Sequence, residues 1–465
     1  MNPRDQALSR DFSVSYIEGY LEKICVTAGS TIRLHASGNG DKNTLSLLRE
    51  GAPDVLVLQD IPIHVTDRPV PPQAYEHGPD WPVVWEFEIP DDWPSAAYRI
   101  ELRCRDESEQ HCPVERGYRD AVHPILLVVR AKKPASQSTI LLQLASNTYA
   151  AYNDWGGKST YGYNSPGGQA PVVSMQRPGT GMMCHSGFIY WERDFIRFCD
   201  QQNIAIELAT NYELHSWPDG FDDYELILSV GHDEYWSMGM RDNLEAFIAR
   251  GGNAAFFSGN SVCWQVRYED DGRRMVTYKE NYTADPYYTD KRYDELTALW
   301  SHPLINRPEN SLTGVGFPAG GYHQSHGVYM DGDGALTVHA PEHWIFNGTG
   351  LKAGDKLGAK NTILGYECDG CRFRVQDGRP VPVCDDGTPE TFEILAQGPA
   401  RWTGYDTGVY QEAGMQDEGM ACMGIYTRNG TVFTAATTDW SHALGKDPVV
   451  DRITLNILER LTAPA

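Results

Sequence analysis

The residues of this chain best suited to chemistry are His232, Asp233 and Glu234. They follow Gly231 at the end of the apolar run 226–230. An imidazole beside carboxylates suits metal ligation supported by a base, or general acid and base catalysis. The turn contains no hydroxyl or thiol, which disfavours a covalent mechanism with a nucleophile placed after a strand. The same residue types also cap helices and form turns, so the trio alone is a weak signal.

The elements that must position this trio are a strand, a helix and a second strand. Apolar residues recur at helical spacing over 240–248, and a second apolar run at 254–257 ends in Ser-Gly-Asn260. A strand, helix and strand in this order predict two parallel strands. Ligands bind beyond the carboxyl ends of strands in open parallel sheets. His232, Glu234 and Asn260 are therefore expected at one rim of the sheet.

Length and charge limit the classes of function. The chain has 465 residues and a formal net charge of -24. The length suggests two or three domains, and the acidity argues against nucleic acid or an anionic membrane as a partner. The first residues lack the apolar segment of a secretory signal, and no apolar run is long enough to span a bilayer. We therefore expect a cytoplasmic protein.

The N-terminal part of the chain has the pattern of a small all-β domain. Short apolar or alternating stretches are separated by turns rich in Gly, Pro and Asp, which is typical of a β-sandwich. The segment 131–138 has the composition of a linker. We predict an immunoglobulin-like β-sandwich domain at 1–133 and an α/β domain at 139–465. The strands of the sandwich are predicted at 31–37, 55–58, 83–89, 98–103 and 124–129.

A long loop at 145–181 is rich in Asn, Gly and Tyr. Four of its tyrosines, Tyr149, Tyr152, Tyr161 and Tyr163, follow a predicted strand within the motifs TYAAYNDWGG and TYGYNS. By composition alone, the simpler interpretation is an aromatic loop that packs over the sheet.

Several motifs, taken in order, resemble one enzyme family. They are TYAAYNDWGG, TYGYNS, VVSMQRP, GHDEYW, GGNAAFFSGN and ILGYECDG. Together they resemble the large (beta) subunit of N,N-dimethylformamidase, and more closely its C-terminal catalytic region, over roughly residues 139–465. The resemblance implies a flavodoxin-like α/β domain with a parallel sheet, related to class I glutamine amidotransferases.

The resemblance also implies a hydrolase with a mononuclear iron held by two tyrosines and one glutamate. The glutamate corresponds to Glu234 in the HDEYW turn. One tyrosine falls in TYAAYN, where Tyr152 is preferred and Tyr149 is the alternative. The other falls in TYGYNS, where Tyr161 is preferred over Tyr163.

Three further residues correspond to positions that line the family's site around the metal: His232, Asn260 and Glu367. As a hypothesis, His232 or Glu367 moves protons and Asn260 steadies the oxyanion during hydrolysis of a small amide. Phenolate and carboxylate are hard oxygen donors that suit Fe(III), and two phenolates with one carboxylate would neutralise a trivalent ion. Three protein ligands would leave positions for water and a substrate carbonyl.

Two departures from the family pattern leave alternatives open. Asp233 stands where the family enzyme has a proline, and this chain is alone, whereas dimethylformamidase works with a small subunit. A homo-oligomer and a small partner subunit are both open. One competing interpretation is a non-catalytic module that binds a small molecule or a sugar in an aromatic cleft. Another is a scaffold subunit of a larger hydrolase.

Overall fold

The structure is a computed structural model that describes residues 16–105, 122–325, 328–329, 334–402, 408–416 and 418–463. The chain divides into two compact units, which are described separately. Unit 1 comprises the described residues of Met1–Lys132, Tyr149–Gly187 and Glu269–Met275. Unit 2 comprises those of Lys133–Thr148, Phe188–Tyr268 and Val276–Ala465. None of the helices in the described ranges combines the length and apolar character needed to cross a bilayer.

The described strands and helices are numbered along the chain. The strands are β1 Ile17–Leu21, β2 Cys25–Thr27, β3 Thr31–Gly38, β4 Lys42–Arg49, β5 Val55–Ile63, β6 Val83–Glu88, β7 Ala96–Arg105, β8 Val122–Arg130, β9 Ile140–Leu144, β10 Val172–Ser174, β11 Glu207–Thr210, β12 Leu226–His232, β13 Tyr235–Ser237, β14 Asn253–Gly259, β15 Trp264–Glu269, β16 Arg274–Val276, β17 Gly316–Gly321, β18 Gln324–Ser325, β19 Val328–Tyr329, β20 Leu336–Val338, β21 Lys356–Leu357, β22 Cys368–Gly370, β23 Phe373–Gln376, β24 Arg379–Pro382, β25 Glu393–Arg401, β26 Glu418–Thr427 and β27 Thr431–Thr434. The helices are α1 Ala74–His77, α2 Ser146–Tyr152, α3 Glu192–Gln201, α4 Asn211–Ser216, α5 Met238–Ala249, α6 Pro286–Thr289, α7 Asn310–Thr313, α8 Val409–Glu412 and α9 Pro448–Leu461.

Unit 1 contains two sheets that share a core. One has the strand order β2-β8-β7-β4-β5 and the other the order β1-β3-β6. Inward side chains such as Leu34, Leu45 and Ile100 are fully buried in one apolar cluster. The loop segment of this unit contributes Trp155, which packs with Trp81 and donates from Nε1 to Glu18 Oε2 at 2.9 Å. The segment 149–187 thus belongs to the same compact unit as the N-terminal strands.

Unit 2 is built around a nine-stranded sheet with the order β11-β9-β12-β14-β27-β26-β25-β20-β21. The strands from β11 to β27 pair in parallel. From β27 onward every pairing is antiparallel. The sheet is therefore mixed.

The prediction of a flavodoxin-like, class I glutamine amidotransferase-like parallel sheet is wrong. The structure contains 35% strand and 22% helix, distributed over several mixed sheets. One physical reason lies between β26 and β27, which are separated by three residues, Arg428-Asn429-Gly430. A connection this short can join only antiparallel neighbours, because a parallel pair needs a crossover of a dozen or more residues.

The predicted strand–helix–strand unit is present as β12, α5 and β14. β12 and β14 pair in parallel, with Gly231 opposite Ser258, as predicted from the apolar runs. Helix α5 begins after Ser237, whose Oγ accepts a hydrogen bond from the Met240 backbone N at 3.3 Å. It buries Met240 and Leu244 in the core of the unit. This local packing fixes the carboxyl ends of β12 and β14 side by side.

Candidate active site

The end of β12 depends on Gly231. Its φ is 78°, a left-handed conformation that favours glycine. A Cβ at this position would lie 2.4 Å from the Trp191 Cβ. Glycine therefore lets the chain turn closely against Trp191 and directs the next residue, His232, to the strand end.

His232 lies between two carboxylates of unit 2. Its Nε2 is 2.7 Å from Glu367 Oε2 and 3.3 Å from Glu234 Oε2. All three side chains are at most 3% exposed. Burial lowers the pKa of His232, and the charges of Glu234 and Asp233 oppose that shift. The imidazole is thus held within reach of two proton acceptors in a dry environment.

The Glu234 carboxylate is oriented by a tryptophan. Its Oε1 accepts a hydrogen bond from Trp264 Nε1 at 2.8 Å, while Oε2 is the oxygen nearest His232. The Glu234 backbone N donates to Thr148 Oγ1 at 3.0 Å. Cys263 and Trp264 donate their backbone N–H groups to the Glu234 carbonyl at 2.9 Å. Both ends of the residue are therefore fixed.

Asp233, the departure from the family pattern, faces interior polar groups. Its carboxylate accepts hydrogen bonds from Ser229 Oγ at 2.9 Å, from Asn211 Nδ2 at 3.2 Å and from Gln143 Nε2. Burial raises the pKa of Asp233 to about 6, although these donors lower it. Through these hydrogen bonds, the Asp233 side chain fixes the turn to interior residues of unit 2.

Asn260 and Glu367 meet across the end of β14. Asn260 has a φ of 47°, and its Nδ2 donates to Glu367 Oε2 at 3.1 Å. Its Oδ1 is buried and has no hydrogen-bond partner among the described residues. The Glu367 carbonyl accepts from the Thr438 backbone N at 3.1 Å. One Glu367 oxygen thus contacts both the amide of Asn260 and the imidazole of His232.

Sequence reasoning missed a buried lysine in this cluster. Lys279 is 1% exposed, and its Nζ lies 5.2 Å from the Trp264 ring centroid. Burial lowers its pKa, and the charges of Glu234 and Glu367 are among the influences that raise it. Its segment, 265–313, is polar and without periodicity, so no pattern marked this residue.

Two further buried carboxyl groups were also missed. Asp369 accepts a hydrogen bond at Oδ2 from the Ser261 backbone N at 3.1 Å, and burial raises its pKa to about 7. Glu309 is fully buried, and its pKa is raised to about 8, mainly by burial. Asp369 is two residues from Glu367 and could have been suspected from ILGYECDG. Glu309 carries no sequence signal.

The candidate tyrosine ligands lie in unit 1. The rings of Tyr152 and Tyr161 have centroids 4.3 Å apart, and His185 lies 5.5 Å from Tyr152. Of the alternatives, Tyr149 is fully buried and Tyr163 is 58% exposed. The structure therefore brings the two preferred tyrosines together.

The predicted residues thus form two groups. His232, Glu234, Asn260 and Glu367 lie together in unit 2, and Tyr152 and Tyr161 lie together in unit 1. Their roles as catalytic residues or metal ligands stay predictions.

Each of the predicted metal ligands is a hard oxygen donor. No group of three His, Cys, Asp or Glu side chains in the described ranges is arranged to hold a metal. Glu234 offers a buried carboxylate oxygen, and the tyrosine pair offers two phenol oxygens, which are donors that ferric iron prefers.

The end of β12 in the mixed sheet thus carries a buried imidazole, His232, that lies between the carboxylates of Glu234 and Glu367. The chain belongs to the family described as N,N-dimethylformamidase beta subunit-like, C-terminal, which it matches over residues 50–452. This match confirms the resemblance seen in the motifs. A comparison with curated proteins gives no match.

Proposed function

We propose that the protein is a metal-dependent hydrolase that cleaves the C–N bond of a small amide. The observation that carries this proposal is the contact of His232 with Glu367 and Glu234 within a buried cluster. Membership of a family named for N,N-dimethylformamidase supports an amide as substrate.

The cluster can move a proton between water and a leaving amine. Amide hydrolysis adds water oxygen to the carbonyl carbon and transfers a water proton to nitrogen as the C–N bond breaks. His232 Nε2, 2.7 Å from Glu367 Oε2, forms a pair that can accept that proton and deliver it. Asn260 Nδ2 holds Glu367 and provides an N–H group suited to a developing oxyanion.

A mononuclear Fe(III) held by Tyr152, Tyr161 and Glu234 is part of the proposal. Bound iron would supply a Lewis acid that polarises the carbonyl and acidifies water. Trp264 would orient the glutamate ligand, because its indole N–H donates a hydrogen bond to Glu234 Oε1. The support is the chemistry of these donors and the family membership.

The test is hydrolysis of N,N-dimethylformamide by the purified protein, followed as release of formate and dimethylamine. Iron content and the visible spectrum are measured on the same preparation. We expect stoichiometric iron and a phenolate-to-iron charge-transfer band that weakens in Tyr152→Phe and Tyr161→Phe. Glu367→Gln should keep the iron and lose at least about 100-fold in kcat. Glu393→Gln, on the exposed side of β25, is the matched control and should behave as wild type.

A colourless, iron-free and folded wild-type protein that hydrolyses no small amide would contradict the proposal. Iron binding without dependence of activity on Glu367 would contradict the assignment of the proton-transfer pair. The first outcome tests the proposal as a whole, and the second tests the role of Glu367 separately from iron binding.

The family description also supports a partner chain. We propose that the protein works with a second, smaller subunit, since the family is named for a beta subunit. Light scattering of the protein expressed with and without its genomic neighbours would identify a stable complex. A fully active protein made of this chain alone would contradict that part.

A further inference from the structure

A row of buried serine hydroxyls connects the two turns that carry the candidate catalytic residues. Ser229 Oγ donates to Asp233 Oδ2 at 2.9 Å and lies 3.1 Å from Ser258 Oγ. Ser258 Oγ lies 2.7 Å from Ser261 Oγ. The Ser261 backbone N donates to Asp369 Oδ2. We call Ser229, Ser258 and Ser261 the serine row.

The row is fixed by the strands that bear it. Ser229 belongs to β12 and Ser258 to the neighbouring parallel strand β14. Ser261 lies in the turn after β14, and each of the three side chains is at most 3% exposed. No bulk water competes for these hydroxyls, so each contact between them has its full electrostatic strength.

The ends of the row are next to the reactive groups. Asp233 lies between His232 and Glu234 in sequence. Asp369 follows Glu367 by two residues and holds the turn that includes Asn260 through the Ser261 N–H. The serine row therefore links the side chain of Asp233, which lies between His232 and Glu234, to the turn after β14 that carries Asn260.

We propose that Ser258 is a positioning residue that, through the serine row, sets Asn260 and Glu367 relative to His232. The functional half of this inference rests on the proposed hydrolase activity. Ser258 is the middle member, so its removal breaks both links at once. It leaves the hydroxyls of Ser229 and Ser261 each without one partner in a dry interior.

Proton transfer depends steeply on the relative placement of the groups. A misplacement of about 1 Å can cost on the order of 100-fold in rate. His232 Nε2 and Glu367 Oε2 are 2.7 Å apart, and Asn260 Nδ2 is 3.1 Å from the same oxygen. A small shift of the turn after β14 changes both distances. It should affect the chemical step more than substrate binding.

The first test compares Ser258→Ala with Ser441→Ala, using N,N-dimethylformamide as the probe. Ser441 is fully buried in unit 2, and its hydroxyl has no hydrogen-bond partner in the part of the chain described. Both variants remove one buried hydroxyl, but only Ser258→Ala interrupts the row. We expect about a tenfold loss of kcat with KM within about twofold for Ser258→Ala, and no change for Ser441→Ala. Ser258→Cys, a near-isosteric weak donor, should recover part of kcat.

The second test does not need activity. Hydrogen–deuterium exchange of peptides covering 256–264 and 366–371 should be faster in Ser258→Ala by about tenfold or more, with helix α9 unchanged. Ser441→Ala should exchange as wild type in the same peptides. If the wild type hydrolyses no amide, the proposed function fails while exchange still decides whether the row couples the turns. Unchanged exchange, or a kcat equal to that of Ser441→Ala, would overturn the inference.

Discussion

At the scale of single residues, Lys279 places a positive charge inside a cluster of buried acids. Its ammonium group lies near the faces of Trp264 and Tyr235, at 5.2 and 5.8 Å from the ring centroids. The electrostatic interactions of such a charge are stronger in a buried site than in water. There it stabilises anions and disfavours a second cation. Lys279 is among the charges that lower the pKa of His232. The lysine therefore helps to keep the imidazole neutral and able to accept a proton.

Replacement of Lys279 by methionine tests this role. Since Lys279 lowers the pKa of His232, its removal raises that pKa, and the acidic limb of the kcat/KM profile should move to higher pH. At neutral pH we expect a loss of roughly 10- to 100-fold in kcat/KM. Lys356→Met, on an exposed strand, is the control. A reduced rate with an unmoved pH profile would show that Lys279 is only structural.

Trp264 offers a second prediction at this scale. Trp264→Phe removes the donor to Glu234 Oε1 and keeps an aromatic ring against Tyr410. Loss of a group that orients a metal ligand typically costs about 10- to 100-fold in metal affinity. We expect weaker iron retention against a chelator, with a shifted charge-transfer band.

The matched control for that variant is Trp300→Phe. Trp300 is fully buried, and its Nε1 has no hydrogen-bond partner within the described residues. Its replacement therefore removes an indole without removing a hydrogen bond. Equal iron loss in both variants would contradict an orienting role for Trp264.

The sequence identified residues that lie in motifs. His232, Glu234 and Asn260 follow apolar strands, and the structure places them with Glu367 in one cluster. Lys279 could not be found in this way, because its segment has neither periodicity nor a motif. Its position depends on long-range packing, which one sequence does not reveal.

At the scale of elements, the parallel half of the large sheet was predictable and the antiparallel half was not. Two apolar runs, at 226–230 and 254–257, have a helical pattern between them. A helix that connects two strands predicts that the strands pair in parallel. The antiparallel half had one local signal, Asn429-Gly430 between two apolar stretches, which is typical of a hairpin. The predicted parallel fold came from the family resemblance and did not take this signal into account.

The end of β12, at Gly231, gives a prediction about an element. Gly231→Ala should destabilise the protein by about 1–3 kcal/mol or more, since it adds a Cβ at positive φ and against Trp191. The displaced turn should also lower kcat. Thermal unfolding and steady-state kinetics measure the two effects.

Gly251→Ala tests the strain of a positive φ separately from the collision with Trp191. Gly251 has a φ of 103°, but no atom lies within 4 Å of a Cβ built there. It should therefore show the backbone strain without the collision and without a loss of kcat. Equal behaviour of the two variants would mean that contact with Trp191 is not what fixes the turn.

At the scale of the whole molecule, the compact units are not simple consecutive segments. Trp155 and its loop belong to unit 1, although they follow β9 of unit 2 in sequence. A loop rich in Asn, Gly and Tyr has no periodic face from which its packing partner could be inferred. The limits predicted at 1–133 and 139–465 were drawn from composition along the chain. Such reasoning cannot assign an inserted loop to a distant segment.

The buried acids give the molecule a pH-dependent stability. Burial raises the pKa of Glu309 to about 8 from an ordinary value of 4.5. Between these values the folded state holds a proton that the unfolded chain has released. The free energy of unfolding must therefore fall as pH rises through this range, by up to about 1.4 kcal/mol per pH unit. Asp369, with a pKa of about 7, acts in the same direction.

Glu309→Gln should remove most of the Glu309 contribution, because glutamine has no proton to release. Urea unfolding at pH 5, 6, 7 and 8 should give a steeper decline for wild type than for the variant, with the two curves diverging as pH rises. Glu393→Gln, an exposed change of the same kind, should run parallel to wild type. If Glu309→Gln also ran parallel to wild type, Glu309 would be ionised in the folded protein. Its negative charge would then be compensated by Arg241, the positive charge that lowers the pKa of Glu309.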